Sequence, residues 1–428
     1  MGDGMGVGME DERNRIDPYA LWVYAKAGMG SKWIRRLYSH GGLQTAEQLF
    51  DMTEKECEDL RGAAYAESAG EVAKGTAEKA AGRLKAAIRA GTAQRREEAA
   101  ERLRRMGIRF VTMEDRLYPE RLRNIPDPPF GLYYRGCLPS DDRPSVAVIG
   151  ARGATRYGIQ QARIFSGTLA AAGVQIVSGL AVGVDGAAEE EALYCGGASF
   201  GVLGCGVDVC YPERNRRIYE RMCAGEHGSG VLSEFPPGEQ PKRNYFPARN
   251  RLISGLADIL LVCEARAQSG TQITADHALD QGRDIFAVPG RNIDALSEGC
   301  NRLIRQGAGI AICPQDLLGH FFGSGAGEES QPEEGDPQKQ DPESGEAGNG
   351  GVELRLADPV QQALFESLDA ADLQEMDDLR EKMEEKLGRG VSIREAGAVM
   401  SKLMLLGYAQ EPCSGYYCRA IEKGAGKR

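Results

Sequence analysis

The hydrophobic pattern changes character along the chain. From about 145 to 318, short and nearly continuous apolar runs alternate with segments of helical spacing. "SVAVIG" precedes a helix near 158–172, "VQIVSG" a helix near 184–194, and "ASFGVLG" a helix near 213–224; "ADILLVCEA", a helix near 271–281 and "DIFAVPG" follow. A run that is apolar at every position, not at every second one, suits a strand covered on both faces. Such strands separated by helices predict an α/β fold, a doubly wound Rossmann-like parallel sheet with right-handed crossovers.

The flanks read differently. Residues 1–70 contain "PYALWVYAKAGMGSKWIRRLYSHGG", apolar at helical spacing and broken by Gly28-Met29-Gly30, then "TAEQLFDMTEKECEDL" with Thr45 placed to cap a helix. This predicts a small helical module of the SAM or helix-hairpin-helix kind, which either packs only or holds a DNA backbone on the amides of its turn. Residues 71–144 form a connector, helical in "EVAKGTAEKAAGRLKAAIRAGTAQRREEAAERLRRM" and Pro-rich in "YPERLRNIPDPPFGLYYRG", leading into the core domain over 145–320. Residues 321–352 read as an acidic disordered linker. Over 353–420, three helical segments ("DPVQQALFESL", "DLQEMDDLREKMEEKL", "SIREAGAVMSKLMLLG") precede two short strands about Ser414-Gly415. Three helices and a hairpin predict a winged-helix module. Its third helix sets Arg394 and Lys402 against Glu395, which favours protein contact or weak DNA contact over strong sequence readout.

Composition bounds these readings. The chain has 428 residues, more than one core usually supports, so two or three domains are expected. No apolar run approaches the roughly 20 residues needed to span a bilayer, and "MGDGMGVGMEDERNR" lacks the basic start and apolar core of a signal peptide. A cytoplasmic protein without membrane contact is expected. The cysteines number 11, scattered through apolar segments without zinc spacing, so reduced core thiols and no metal are expected. A formal net charge of -11 argues against nucleic acid. However, much of that charge lies in "SGAGEESQPEEGDPQKQDPESGEAGNGG", where Lys339 is the one cation. Net charge is therefore a poor guide to the partner.

The candidate chemistry lies at the strand ends. In a doubly wound sheet ligands sit outside the carboxyl ends of the strands. There this sequence places "GARGATRYG", "SGLAVGVDGAA", "GCGVDVCYP" and "SGTQITA". Small residues let backbone amides approach anions closely, so several such turns on one edge predict several phosphates. Neither G-x-G-x-x-G nor G-x-x-x-x-G-K-[ST] is present, and no nucleotide cofactor is expected. Arg152, Arg156, Lys242, Arg243, Arg249 and Arg251 can gather at the same edge, and Phe246 in "NYFPARNRLISG" offers a stacking face, which suits a strand of nucleic acid. The same residues also suit a ring and Pro247 sealing the sheet edge, with ion pairs outside. His40, His227, His277 and His320 fall in no nucleophile or metal pattern, and Asp185 fits a general base or a helix-start carboxylate. No active site can be read.

The blocks "VIGARGATRYG", "IVSGLAVGVDGAAEEEAL", "GVLGCGVDVCYPERN", "LSEFPPGEQP", "NYFPARNRLISGLAD", "LVCEARAQSGTQITADHALDQGRDIFAVPG" and "GCNRLIRQGA" closely resemble the DNA-processing protein A family (DprA, also called Smf) over about 145–318. The flanking helical and winged-helix readings match that family's common layout. The resemblance implies a non-catalytic protein that binds single-stranded DNA, usually as a homodimer. It also implies that the protein protects the strand and helps load the RecA recombinase during natural transformation and recombination. By resemblance, the DNA-binding residues are Gly150 and Arg152 in the first turn, Lys242, Arg243, Phe246, Arg249 and Asn250 around the F-P-x-R-N block, and Ser269, Gly270 and Thr271 in the S-G-T turn; the glycine turns and the basic motif add Thr155, Gly179, Gly183 and Arg251 as candidates. Ala151 and Val182 stand where the family often has Ser and Arg, a loss that weakens a multi-contact interface without abolishing it. Two other classes remain. One is a nucleotide hydrolase of related fold, for which Gln268-Ser269 stand where P-G-G-x-G-T would place glycines. The other is a winged-helix regulator whose central domain senses a ligand.

Overall fold

The computed structural model describes residues 16–27, 34–35, 45–51, 82–322, 359–368, 374–405, 409–413 and 416–419. The chain divides into two units, Met1–Phe321 and Phe322–Arg428. The Gly28–Gly30 break, most of "TAEQLFDMTEKECEDL", the acidic stretch and the Ser414-Gly415 turn lie outside the described residues.

The first unit is built on a nine-stranded, mostly parallel sheet. Its strands are β1 (Arg109–Thr112), β2 (Gly131–Gly136), β3 (Ser145–Ile149), β4 (Gln175–Ser178), β5 (Ser199–Val202), β6 (Gly230–Ser233), β7 (Ile259–Val262), β8 (Asp284–Ala287) and β9 (Gly309–Ile310). Across the sheet the order is β1-β2-β6-β5-β4-β3-β7-β8-β9. From β6 to β9 every pairing is parallel, whereas β2 pairs antiparallel with both β1 and β6.

Alternation along the strands explains how the sheet is covered on both faces. In β3, Val146 and Val148 join one core with Phe165 and Leu169 of α3 (Arg156–Ala171) and Ala188 and Ala192 of α4 (Val184–Tyr194). Their neighbours Ala147 and Ile149 join the opposite core, with Leu252 of α6 (Tyr245–Gly255), Ala275 and Ala278 of α7 (Gly270–Asp280) and Leu303 of α8 (Glu298–Arg305). A period of two places successive side chains on opposite faces, so both sets must be apolar. α5 (Arg216–Cys223) follows β5, and α9 (Pro314–Phe322) adds Leu317 to the first of these cores.

The Pro-rich connector supplies two strands that the sequence pattern did not reveal, because β1 and β2 are short and flanked by irregular chain. It is fastened to the sheet by Arg121, whose Nε and Nη2 donate to the two carboxylate oxygens of Asp258 at 2.8 and 2.9 Å; Oδ2 of the same aspartate accepts the amide of Ser145. Earlier in the chain, α1 (Pro18–Ala27) packs on α2 (Ala93–Arg105). The Tyr24 ring lies 5.7 to 6.1 Å from Phe110, Phe130 and Tyr133, and its hydroxyl donates to the carbonyl of Glu234 at 3.0 Å. These contacts seat α1 near the ends of β1, β2 and β6.

The second unit has its own core of Leu364, Leu379, Met383, Met400 and Leu403. Helices α10 (Pro359–Ser367), α11 (Met376–Leu387) and α12 (Ile393–Leu405) accompany a three-stranded antiparallel sheet in the order β10 (Gln374–Glu375), β12 (Tyr416–Arg419), β11 (Ala409–Cys413). No helix among the described residues is long and apolar enough to cross a membrane. Among them, Cys205, Cys263 and Cys300 are free and buried, and burial pushes the thiols of Cys205 and Cys300 up to about 12. They are inert core residues at neutral pH.

Candidate nucleic-acid interface

The chain leaves β3 toward β4 on one side and returns from β6 to β7 on the other. β3 and β7 therefore flank the topological switch point, where a doubly wound sheet opens a crevice at its carboxyl edge. A cleft of about 890 Å³ lies there. Its walls come from the turn after β3 (Gly150 to Gly153), the start of α6 and the turn from β7 into α7.

"NYFPARNRLISG" is the start of a helix. Pro247 falls in the first turn of α6, where the missing amide costs no intrahelical hydrogen bond. Helical spacing then brings Phe246, Asn250 and Ile253 to the cleft. Phe246 is half-buried, with its ring centroid 5.4 Å from the Arg152 guanidinium, 6.0 Å from that of Arg249 and 5.6 Å from the Tyr211 ring. Both guanidinium groups lie within cation–π range of the ring, a favourable arrangement with the π-system.

The arginines divide into two kinds. Arg152, Arg243 and Arg266 are exposed, line the cleft, and have no acidic partner among the described residues. Arg249 also reaches the cleft, yet it is only 4% exposed and its guanidinium donates to the carbonyls of Gly179 (3.0 Å) and Val202. Burial lowers its pKa, opposed by the charges of Asp185 and Glu189. Arg251 is not in the cleft at all. Two residues further along a helix it points about 200° away from Arg249, and it pairs with Glu234 at 2.7 Å and Asp127 at 3.2 Å. The expectation that these cations gather at one edge therefore fails for Arg251, and Arg249 is structural in its hydrogen bonds. Lys242 stands outside the cleft lining, with Nζ 2.5 Å from Glu239 Oε1 and 3.0 Å from the Tyr245 hydroxyl; the Glu239 bond raises the Lys242 pKa.

The glycines and hydroxyls behave likewise. Gly179 is required by Arg249: a Cβ there would stand 2.7 Å from Nη1. Gly183 has φ +90° and precedes α4, with the carbonyl of Ala151 only 2.3 Å from where a Cβ would sit. Neither lines the cleft, whereas Gly150, Ser269, Gly270 and Thr271 do. Asn250 donates to the Gly270 carbonyl at 3.4 Å, tying α6 to the start of α7. Thr155 caps α3, accepting from the Gly158 amide at 3.2 Å while its own amide and hydroxyl donate to Glu264 at 2.8 and 2.6 Å. Its oxygen is therefore committed within the fold.

Two contributors, Arg266 and Glu264, escaped the sequence reading, and a third, Asp185, was read there as a general base or a helix-start carboxylate. Arg266 lies in "CEARAQSG"; counting cations in every turn after a strand would have found it. Glu264 fastens the first turn, because its carboxylate holds Thr155 and its carbonyl accepts the Ala151 amide at 2.8 Å. Asp185, in the first turn of α4, lies with Glu189 and Arg249 in a buried charge cluster. Burial raises both carboxyl groups, Glu189 well above the ordinary range, with the Asp185 charge adding to it. Among the described residues no group of three or more His, Cys, Asp and Glu side chains is placed to hold a metal ion.

Fold and cleft define a doubly wound α/β protein with a cationic, glycine-lined crevice at its switch point. The chain belongs to the DNA recombination-mediator protein A family, whose family model matches residues 109–322. It is 43% identical over 213 residues to the DNA processing protein DprA of Streptococcus pneumoniae, covering 50% of this chain and 73% of that one. It is also 40% identical over 209 residues to protein Smf of Escherichia coli, covering 49% of this chain and 55% of that one. The X-ray structure of the S. pneumoniae DprA superposes with a TM-score of 0.59 at 32% identity, over 71% of this chain and 98% of that one. The span of the family model includes β1 and β2 as well as the parallel strands.

Proposed function

We propose that this protein binds single-stranded DNA along the cleft and acts without catalysis, delivering the strand to a RecA-type recombinase in the cytoplasm. One observation carries the reading: Arg152, Arg243 and Arg266 stand free around the half-buried Phe246 ring, beside the amide-rich turns that end β3 and begin α7. Separated cations and a stacking face suit a chain of phosphates and bases, since each cation neutralises one phosphate and the ring accepts any base. A single compact phosphate group would use the cations from one side only. The family's description as a recombination mediator agrees with a role in handing DNA on. The resemblance further supports a homodimer. The three helices and small antiparallel sheet of the second unit support a winged-helix module.

The test is titration of a fluorescent poly-dT strand across a salt series with wild type, Arg152→Ala, Arg243→Ala and Arg266→Ala. Each variant should weaken binding and flatten the log–log salt slope by about 0.7, the value for one phosphate contact on a single strand. Unchanged slopes in all three would remove the cleft from DNA binding.

A further inference from the structure

A second basic surface lies in the same unit, between α1 and α2. It is a groove of about 590 Å³ with an apolar floor that includes Leu21, Leu103 and Tyr133. Lys26, Arg95, Arg102 and Arg105 stand along it, and Glu98 is the one acidic residue lining it among the described residues. A neighbouring hollow of about 410 Å³ shares Lys26 and Arg95 and adds Arg83.

The sequence of α2, "AQRREEAAERLRR", explains how the charge separates. Ala100 and Leu103 face the core, and Arg96 lies over the rings of Tyr19 and Phe50 at 4.1 and 4.5 Å. Glu97 and Glu101 both pair with Arg104, at 2.9 and 3.1 Å. The acids are therefore consumed on one side of the helix. Arg95, Arg102 and Arg105, related by helical spacing, are left on the groove side and exposed. Arg95 donates to the carbonyl of Ala90 at 3.2 Å, which leaves its charge uncompensated. Lys26, Arg102 and Arg105 have no acidic partner among the described residues. Glu98 accepts from Gln94 at 2.9 Å.

The groove and the cleft are separate hollows joined by one stretch of chain. Pro236 and Pro237, just beyond the carboxyl end of β6, line the groove, and the chain then runs through Lys242 and Arg243 to Phe246 in the cleft. β6 stands three strands from β3, about 14 Å at roughly 4.8 Å per strand. We infer that the α1–α2 groove is an extension of the nucleic-acid path, where Lys26, Arg95, Arg102 and Arg105 hold phosphates of a strand that leaves the cleft over residues 236–243. The inference rests on the cleft reading above. A polyanion is favoured over an acidic peptide because Arg95, Arg102 and Arg105 follow one another along one helix, and the chain that leaves the groove at Pro237 carries Lys242 and Arg243 toward the cleft.

Oligo-dT strands of about 6 and about 20 nucleotides, bracketing the roughly 4–16-nucleotide sites of sequence-tolerant strand binders, test it with the full chain. Arg102→Gln/Arg105→Gln should leave the short strand's affinity unchanged and weaken the long one. Its salt slope on the long strand should be flatter by about 1.4, twice the 0.7 of one phosphate. Arg102→Lys/Arg105→Lys should retain both properties, and Arg152→Ala should weaken both lengths. If the glutamine variant matches wild type on the long strand while Arg152→Ala does not, the groove is no DNA contact and the cleft reading stands. If Arg152→Ala is without effect while the glutamine variant weakens binding, the cleft reading falls and the continuous path with it. Equal losses on both lengths also overturn the inference.

Discussion

Phe246→Leu and Phe246→Ala remove the same ring but leave different amounts of apolar surface, and that difference separates stacking from sealing. The ring packs against Gly204, where a Cβ would stand 3.0 Å from Cδ1, and lies beside Arg152, Arg249 and Tyr211. Truncating a fully buried Phe to Ala costs about 3–5 kcal/mol; half-burial reduces this to about 2 kcal/mol. Leu retains most of the apolar volume and should cost less than about 1.5 kcal/mol. Strand binding responds to the π-face instead. Loss of one base–aromatic stack is worth about 1–3 kcal/mol, a fall of roughly 5- to 150-fold in affinity. Both variants should therefore bind oligo-dT more weakly by that factor in fluorescence anisotropy, while urea unfolding shows Phe246→Leu close to wild type. Phe246→Trp should keep the affinity. If Phe246→Leu binds as wild type does, the ring is a seal and the stacking argument is wrong.

Other perturbations probe the frame of the cleft. Gly183→Ala puts a Cβ against the Ala151 carbonyl at a φ of +90°, and should lower the unfolding free energy by at least about 2 kcal/mol; a midpoint in urea equal to wild type would contradict the geometry. Glu264→Gln leaves Thr155 one acceptor in place of two and should cost about 1–3 kcal/mol while weakening strand binding through the displaced Arg152 turn. Normal affinity in a destabilised variant would show that the turn does not depend on this brace. Burial raises the folded-state pKa of Glu189, so its contribution to stability is complete below about 4.3, the unfolded value, and is lost as pH rises through the folded value. The stability of Glu189→Gln relative to wild type should thus improve from pH 4.5 to pH 8 in urea titrations, and a pH-independent difference would exclude a buried acid that resists ionisation.

The sequence by itself determined the parallel strands and the location of the crevice. The nearly continuous apolar runs in "SVAVIG" and "ADILLVCEA" suit strands covered on both faces, and glycine turns at their ends mark where backbone approaches closely. These are local signals, carried by neighbours in the chain. Only the tertiary structure decided what each cation does. Arg249 and Arg251 differ by two positions in one motif, yet the helical turn sends one beneath the cleft to the carbonyls of Gly179 and Val202 and the other to Glu234 and Asp127. Gly179 reads as a phosphate turn until the Arg249 guanidinium is seen occupying its missing side chain's place. Likewise β2 owes its strand character to pairing with β6, a partner about a hundred residues away, and β1 owes its own to pairing with β2. Whether an arginine is free to meet a phosphate depends on which acids and carbonyls the fold has already brought to it, and those partners come from distant parts of the chain.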